Sequence, residues 1–421
     1  MRNYDQIKKW QTRIFIACFI AYTAAYICRV NLSIAIPGIQ SEFGFSNASI
    51  GLISTSFFWV YALGQLINGF VGDMVSSRTF IFVGLTASAL INIAFGLSSV
   101  LWMMVLLWSV NGIFQSMLWA PMIKTLSNWF PSKLHNKIVF GMSITTIAGY
   151  IIAWGISGLI MNTLGWRWVF WLAALIVISF AFVWYTLVRN KPVEVGLTGI
   201  TELEEQLNNG EITERQSSKK ESLIKTIFDK NIFLIVLTGA AQGVIKESIS
   251  LWSPKILMDT FNLSLKSTVA IVLIIPAMNL IGITLAGWLN RTLRSSEQTT
   301  IMILMIGSAV ASLGMVCFMQ KSPALTILML ACNSAFIYGA NPLMTTAIPL
   351  KYSASNKVAT IAGIVDSSIY LGAGLAGVLT GLTVDMFGWS MVFVMWCIVS
   401  LLGSLTIRTT ILPDKKIDSS C

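Results

Sequence analysis

Twelve apolar runs, separated by polar breaks, set the pattern of this chain. They fall at approximately 12–36, 48–72, 79–98, 101–128, 138–160, 166–187, 231–258, 267–290, 298–318, 323–348, 358–384 and 387–407. Crossing a bilayer as a helix takes about 20 apolar residues, so each run is long enough to span. The break between the sixth and seventh runs is different in kind. Residues 189–230 include ELEEQLNNGEITERQSSKKES, a stretch too polar to bury a core. The pattern predicts an all-α membrane protein of twelve transmembrane helices. A six-helix half (residues 1–188) and a second six-helix half (231–421) are joined by a cytoplasmic linker (189–230).

Composition agrees. The chain is 55% hydrophobic and 11% charged, where a soluble domain carries about 25% charged residues. A net charge of +10 would point to nucleic acid in a soluble protein, but its placement points to a membrane. Of the 28 Lys and Arg, 21 gather in residues 1–13, at Arg78, Lys133 and Lys137, in 189–230, at Arg291, Arg294, Lys351 and Lys357, and after Leu405. The opposite loops hold only Arg167, Lys255, Lys266 and Lys321. The positive-inside rule then puts both termini in the cytoplasm, with the lipid bilayer rather than nucleic acid as partner. Residues 1–27 superficially resemble a signal peptide. The apolar run continues past a signal's length without a small-residue cleavage site, so it reads as the first transmembrane helix. The six cysteines are scattered, with no metal or disulfide spacing. The single histidine, His135, falls in a loop and reads as solvated. No Walker A, dinucleotide fingerprint or nucleophile elbow occurs, so neither an enzyme, a cofactor nor ATP-driven transport is indicated.

The halves repeat. Gly158-Leu159 to Gly165-Trp166 matches Gly381-Leu382 to Gly388-Trp389, and Val169-Phe170 matches Val392-Phe393 at the same offset, as does Gly149 with Gly372. Parallel repeats of this kind place a substrate site near the membrane midplane where the halves meet. Arg29, in the middle of an otherwise apolar first helix, has Lys246 at the matching place in the seventh. A guanidinium at that depth costs at least ~2.5–3.5 kcal/mol on insertion scales. The pseudo-symmetry predicts two cations on opposite walls of one cavity, a site for an anion.

Helical spacing adds to the site. Tyr22, Tyr26 and Arg29 share one face at i, i+4 and i+7. Tyr61 shares a face with Gln65, and Asp366 with Tyr370, while Gln242, Lys246 and Ser250 form a polar stripe. Such stripes point inward, because lipid cannot satisfy them. Glu247 and Asp366 are acids inside spans. Either could neutralise a cation in the empty protein and be displaced by the substrate, or carry a proton. Lys124 and Asp73 are expected to form a salt bridge at a cytoplasmic gate, with Arg78 beside it. Gly372, Gly374 and Gly377 read as packing elements.

Gly69-x-x-x-Asp73 followed by Arg78 resembles the cytoplasmic signature of the major facilitator superfamily, although Met74 replaces its usual basic residue and the counterpart Gly287 to Arg291 lacks the acid. Within that superfamily the chain resembles the organophosphate:phosphate antiporters of the glycerol-3-phosphate, hexose-phosphate and glucose-6-phosphate type over nearly its whole length. The residues carrying this are Arg29-x-Asn31 with Ala35-x-Pro37, Trp119-x-Pro121-x-x-Lys124, Trp129-Phe130 and Gly165-Trp166-Arg167. They continue with Lys191-Pro192-x-Glu194-x-Gly196-Leu197, Lys246 ahead of Trp252-Ser253-Pro254, Tyr338-Gly339-x-x-Pro342, and Gly363 through Tyr370-x-Gly372.

The resemblance implies a monomeric multi-pass transporter of the bacterial inner membrane, taking a small organic phosphate in exchange for inorganic phosphate. It implies that Arg29 and Lys246 clamp the phosphate, with Tyr22, Tyr26, Tyr61, Trp119, Tyr338 and Tyr370 lining the pocket. Two departures reduce the pocket's positive charge: Gln65 stands where the family commonly has Lys, and Thr146 where the glycerol-phosphate type has His. Two other readings remain open. One is a proton-coupled symporter of organic acids such as sugar acids, which the stretch Arg29 to Ala35 also resembles. The other is a transporter-like receptor that binds an organophosphate without net flux.

Overall fold

The computed structural model describes residues 2–199, 230–292, 296–350 and 358–410. The regular structure there is helical. Twelve helices among the described residues are long and apolar enough to cross a membrane, and each overlaps one of the twelve predicted runs. Of the linker expected at 189–230, the part from 200 to 229 lies outside the described residues. Ahead of it, Pro192–Val195 form one 3₁₀ turn.

The chain divides into two compact units. The first takes Met1–Ser217, Ser250–Pro276 and Gly377–Asp385; the second takes Ser218–Ile249, Ala277–Ala376 and Met386–Cys421. The helices of the first half are α1 (Arg2–Ile27), α2 (Asn31–Phe43), α3 (Asn47–Met74), α4 (Ser77–Leu97), α5 (Leu101–Ser116), α6 (Trp119–Trp129), α7 (His135–Leu164) and α8 (Trp166–Leu187). Those of the second half are α9 (Lys230–Phe261), α10 (Leu265–Val272), α11 (Ile274–Thr292), α12 (Glu297–Phe318), α13 (Pro323–Pro342), α14 (Val358–Phe387) and α15 (Trp389–Arg408).

Local chemistry starts and stops these helices in matched pairs. The Ser46 hydroxyl accepts from Ser49 N–H at the start of α3, and Ser264 from Ser267 N–H at the start of α10, each satisfying an orphan donor of the first turn. Gly165 and Gly388 enter α8 and α15 at φ 87° and 78°, a region open to glycine and costly for a side chain. Both belong to the repeated Gly-Trp motif.

Among the described residues, three spans are interrupted by a non-helical turn. Pro121 falls in the first turn of α6 and Pro276 in that of α11. A proline ring collides with the carbonyl four residues back, which ends the preceding helix near 117 and 272. The first span breaks without any proline: residues 28–30 form a turn, and Arg29 sits in it. The expectation that Arg29 lies mid-helix is therefore corrected. Asn92, Asn111 and Gln115 side chains donate to carbonyls that an unbroken helix would use, and side-chain insertion of this kind interrupts the ladder.

The first unit's core is aromatic. Phe95 packs on Trp108 and Phe170 with ring centroids 4.9 and 4.5 Å apart, and all three are buried. Large apolar side chains such as Leu97, Trp102, Leu159 and Phe182 are exposed. Such a surface suits hydrocarbon and not water.

Candidate functional site

In the first unit, the turn at 28–30 presents Arg29 to a ring of aromatics. Its guanidinium carbon lies 4.6 Å from the Tyr61 ring centroid, 5.4 Å from Tyr26, 5.6 Å from Phe57 and 5.5 Å from Phe58. Arg is suited to such faces because its planar cation is weakly hydrated. Phe57, Phe58 and Tyr61 come from α3 and are nearly inaccessible, so the side chain is held against a fixed wall.

The predicted residues of this half assemble around it. Tyr22 packs edge-on against Tyr26 at 5.6 Å and against Trp119 at 4.9 Å. The Tyr26 hydroxyl donates to Thr146 Oγ1 at 3.2 Å, and Gln65 Nε2 donates to the Tyr61 hydroxyl at 3.4 Å. The arrangement brings together Tyr22, Tyr26, Arg29, Tyr61, Gln65, Trp119 and Thr146 from α1, α3, α6, α7 and the turn at 28–30.

Sequence reasoning missed Tyr150. Its ring stands 5.4 Å from Tyr26 and 5.2 Å from Trp154, whose indole N–H donates to Ser33 Oγ at 2.9 Å. Tyr150 is four residues beyond Thr146, so the same helical spacing would have found it. Gly149 makes the contact possible: a Cβ there would meet Tyr26 Cβ and Cγ at 2.7 Å.

The second unit holds a smaller polar group. Lys246 Nζ donates to Asn341 Oδ1 at 3.4 Å and lies 5.1 Å from the Tyr338 ring centroid. Gln242 Nε2 donates to the Ile337 carbonyl at 2.9 Å and to Asn341 Oδ1 at 3.3 Å. Asn341, also missed, sits three residues after Tyr338, so the two lie on one face of α13. Pro342 ends that helix, and a π-helical turn, Leu343–Ala347, follows. Such turns are frequent at functional sites.

The halves differ here. At the repeat offset that relates Arg29 to Lys246, Tyr22 and Tyr26 correspond to Gly239 and Gly243. Those glycines press α9 onto α14: a Cβ on Gly243 would collide with the Ile369 carbonyl, and one on Gly239 with Ser368. One half carries rings where the other carries a close helix seam.

Glu247 on α9, and Asp366 and Tyr370 on α14, are half-buried. Lys124 Nζ donates to the Gly72 carbonyl at 2.8 Å and the Val75 carbonyl at 3.4 Å, a cation at the C-terminal end of α3, as the helix dipole favours. The side chain of Asp73 lies outside the described residues, and with it the expected salt bridge. Arg78 Nε donates to the Tyr185 carbonyl at 2.6 Å and stacks on the Tyr185 ring at 4.2 Å, tying the start of α4 to the end of α8. Among the described residues no group of three or more His, Cys, Asp or Glu could hold a metal ion.

The family model described as Major Facilitator Superfamily matches residues 14–365. Among curated relatives, the Probable hexose phosphate transport protein of Chlamydia trachomatis is 27% identical, covering 92% of this chain and 88% of the relative. The Glycerol-3-phosphate transporter of Bacillus subtilis is 27% identical, covering 92% and 89%. The membrane sensor protein UhpC of Escherichia coli is 24% identical, covering 94% and 91%. Among solved structures, a bacterial homolog of the human lysosomal transporter Spinster superposes with a TM-score of 0.74 at 16% identity, covering 95% of this chain and 94% of that one.

Proposed function

The chain belongs to the Major Facilitator Superfamily, a multi-pass integral membrane protein by its twelve apolar helices, and from that premise we propose that it exchanges an organic phosphate ester for inorganic phosphate. The substrate is of the sugar phosphate or glycerol phosphate class, and the relatives named for hexose phosphate and glycerol-3-phosphate transport support this.

The observation that carries the reading is the surroundings of the two intramembrane cations. Arg29 stands in a broken span within an aromatic wall, and Lys246 stands in an amide and tyrosine group beside a π-helical turn. A charged side chain inside a membrane span marks a substrate or ion pathway by default. In this proposal Arg29 donates two parallel hydrogen bonds to the phosphoryl oxygens, and Lys246 adds a point charge. Tyr22, Tyr26, Tyr61, Gln65, Trp119, Thr146, Tyr338 and Tyr370 line the path, and Glu247 or Asp366 supplies the charge partner when phosphate leaves. Both exchanged ligands need the same cations, so exchange needs no ATP. Transport proceeds by alternating access through rocking of the halves 1–188 and 231–421, joined by 189–230, in the inner membrane with both termini cytoplasmic.

The test is uptake of radiolabelled phosphate into proteoliposomes preloaded with unlabelled phosphate. Rapid exchange in wild type, lost in Arg29→Ala and Lys246→Ala, is expected, with competition by a panel of organophosphates naming the substrate. Uptake that ignores trans phosphate and collapses with a protonophore would favour proton-coupled carboxylate transport instead. Saturable organophosphate binding without flux would favour a receptor, the reading that the sensor relative supports.

A further inference from the structure

The break at Arg29 has a cause that lies outside the first span. Residues 28–30 contain no proline or glycine. The Cys28 carbonyl accepts from Asn111 Nδ2 at 3.0 Å and from Asn92 Nδ2 at 3.2 Å, and the Ala25 carbonyl accepts from Gln115 Nε2 at 3.1 Å. In a continuous helix these two carbonyls would take the N–H groups of residues 32 and 29. Here Arg29 N–H turns to the Tyr26 carbonyl at 3.1 Å instead, and Cys28 N–H to the Ala25 carbonyl at 3.2 Å.

The donors are themselves locked. Ser88 Oγ donates to Asn111 Oδ1 at 2.6 Å and accepts from Gln115 Nε2 at 2.9 Å, while Asn92 Oδ1 accepts from Asn31 Nδ2 at 2.9 Å. Ser88, Asn92, Asn111 and Gln115 are all buried. An amide placed this deep in a membrane protein needs its partners, since the bilayer core offers no water to replace them.

The second half repeats part of this cluster and omits the rest. Ser308 Oγ donates to Asn333 Oδ1 at 2.6 Å, the counterpart of Ser88 with Asn111. Asn333 Nδ2 then donates to Ser312 Oγ at 3.0 Å. By repeat position, Ser312 stands where the first half has Asn92, and Ile337 where it has Gln115. The span that carries Lys246, α9, runs unbroken from Lys230 to Phe261. The helix carrying the cation is broken in the half that has the three carbonyl-seeking amides, and continuous in the half that does not.

We propose that Asn92, Asn111 and Gln115 are positioning residues for Arg29, holding the first span open at 28–30 so that the guanidinium meets the anion. This rests on Arg29 binding the anion, as argued above. With any of the three replaced by leucine, the i→i−4 bonds can re-form, and the resumed helical turn rotates Arg29 away from the wall of Tyr61, Phe57 and Phe58.

The experiment measures saturation of phosphate exchange by the full chain in proteoliposomes for Asn92→Leu, Asn111→Leu and Gln115→Leu, with Asn333→Leu as the matched substitution in the second half. Thermal unfolding in detergent reports folding. All four are expected to lower the melting temperature. Only the first three are expected to raise the phosphate half-saturation, by about tenfold each for one lost charge-assisted hydrogen bond, at an unchanged maximal rate per folded molecule. Where a leucine variant does not fold, Asn111→Gln or Gln115→Asn keeps the amide but displaces it, and the same split is expected. Half-saturation unchanged in the folded variants, or raised equally by Asn333→Leu, overturns the proposal. Arg29→Ala run alongside separates two failures: if it exchanges phosphate normally, the Arg29 reading itself fails.

Discussion

Replacing Arg29 by lysine keeps the charge and removes the shape. The guanidinium carbon is within 5.6 Å of four ring centroids, with Tyr61 nearest at 4.6 Å. Each such contact contributes roughly 0.5–1 kcal/mol where water competes and about 2 kcal/mol where it does not. Arg29 is only half-buried, so the smaller figure applies. A lysine ammonium retains part of that attraction but cannot offer two parallel hydrogen bonds to one phosphoryl group. Losing one charge-assisted hydrogen bond costs about 1.5–3 kcal/mol, which raises the phosphate half-saturation roughly ten- to one-hundredfold. Proteoliposome exchange of radiolabelled phosphate, run over a phosphate series for wild type and Arg29→Lys, reads this directly. A half-saturation within about twofold of wild type at equal maximal rate, under 0.5 kcal/mol by the same relation, would refute the fork as the recognition element.

Other substitutions test the packing that supports the site. Gly149→Ala puts a methyl group 2.7 Å from Tyr26 Cβ and Cγ, so it is expected to lower exchange while the chain still folds; normal exchange would show that Tyr26 can move freely. Gly243→Ala drives a Cβ into the Ile369 backbone carbonyl, which cannot rotate away, and overpacking of this kind costs about 1–3 kcal/mol; a fall in melting temperature is the expected readout. Asp385 accepts from Asn47 N–H at 3.1 Å, Asn47 Nδ2 at 2.7 Å and Ala48 N–H at 2.8 Å at the start of α3. Asp385→Ala removes a helix cap that contributes about 0.5–2 kcal/mol, and its effect is expected as a shift in inter-residue distances between spin labels on α3 and α14. Glu42 accepts from both Arg167 terminal nitrogens, at 2.5 and 2.7 Å, yet both side chains are more than a third or nearly a third exposed. Glu42→Gln should therefore change stability by less than about 1 kcal/mol and leave exchange intact.

The twelve spans were legible because hydrocarbon demands a long apolar run from every crossing helix, and Gly165 and Gly388 marked the repeat because a left-handed entry to α8 and α15 admits little else. Spacing also foretold that Tyr22 would meet Tyr26 and Tyr61 would meet Gln65, since each pair shares one helix face, whereas Thr146 came from the family resemblance alone. The break at Arg29 was not legible. Prolines announce the turns near 117 and 272 from within their own segments, whereas the turn at 28–30 is made by side chains 60 to 90 positions away in the chain. Asn341 escaped notice for a related reason: an amide within an apolar span has no local signature that separates a binding group from a packing one. The contacts of Lys124 with the Gly72 and Val75 carbonyls were not legible either, because every residue type supplies such acceptors and no sequence pattern reveals them.

A turn imposed by proline is an all-or-none inheritance: one codon makes it and one codon unmakes it. The turn at Arg29 is distributed over Asn92, Asn111 and Gln115 on two neighbouring helices, so selection can adjust it in small steps. Substitution at these three positions could retune how Arg29 is presented without touching the cation, its aromatic wall or the span that bears it. On the proposed role of Arg29, anion recognition would then depend on three side chains that never meet the anion, which a survey of pocket-lining residues alone would miss.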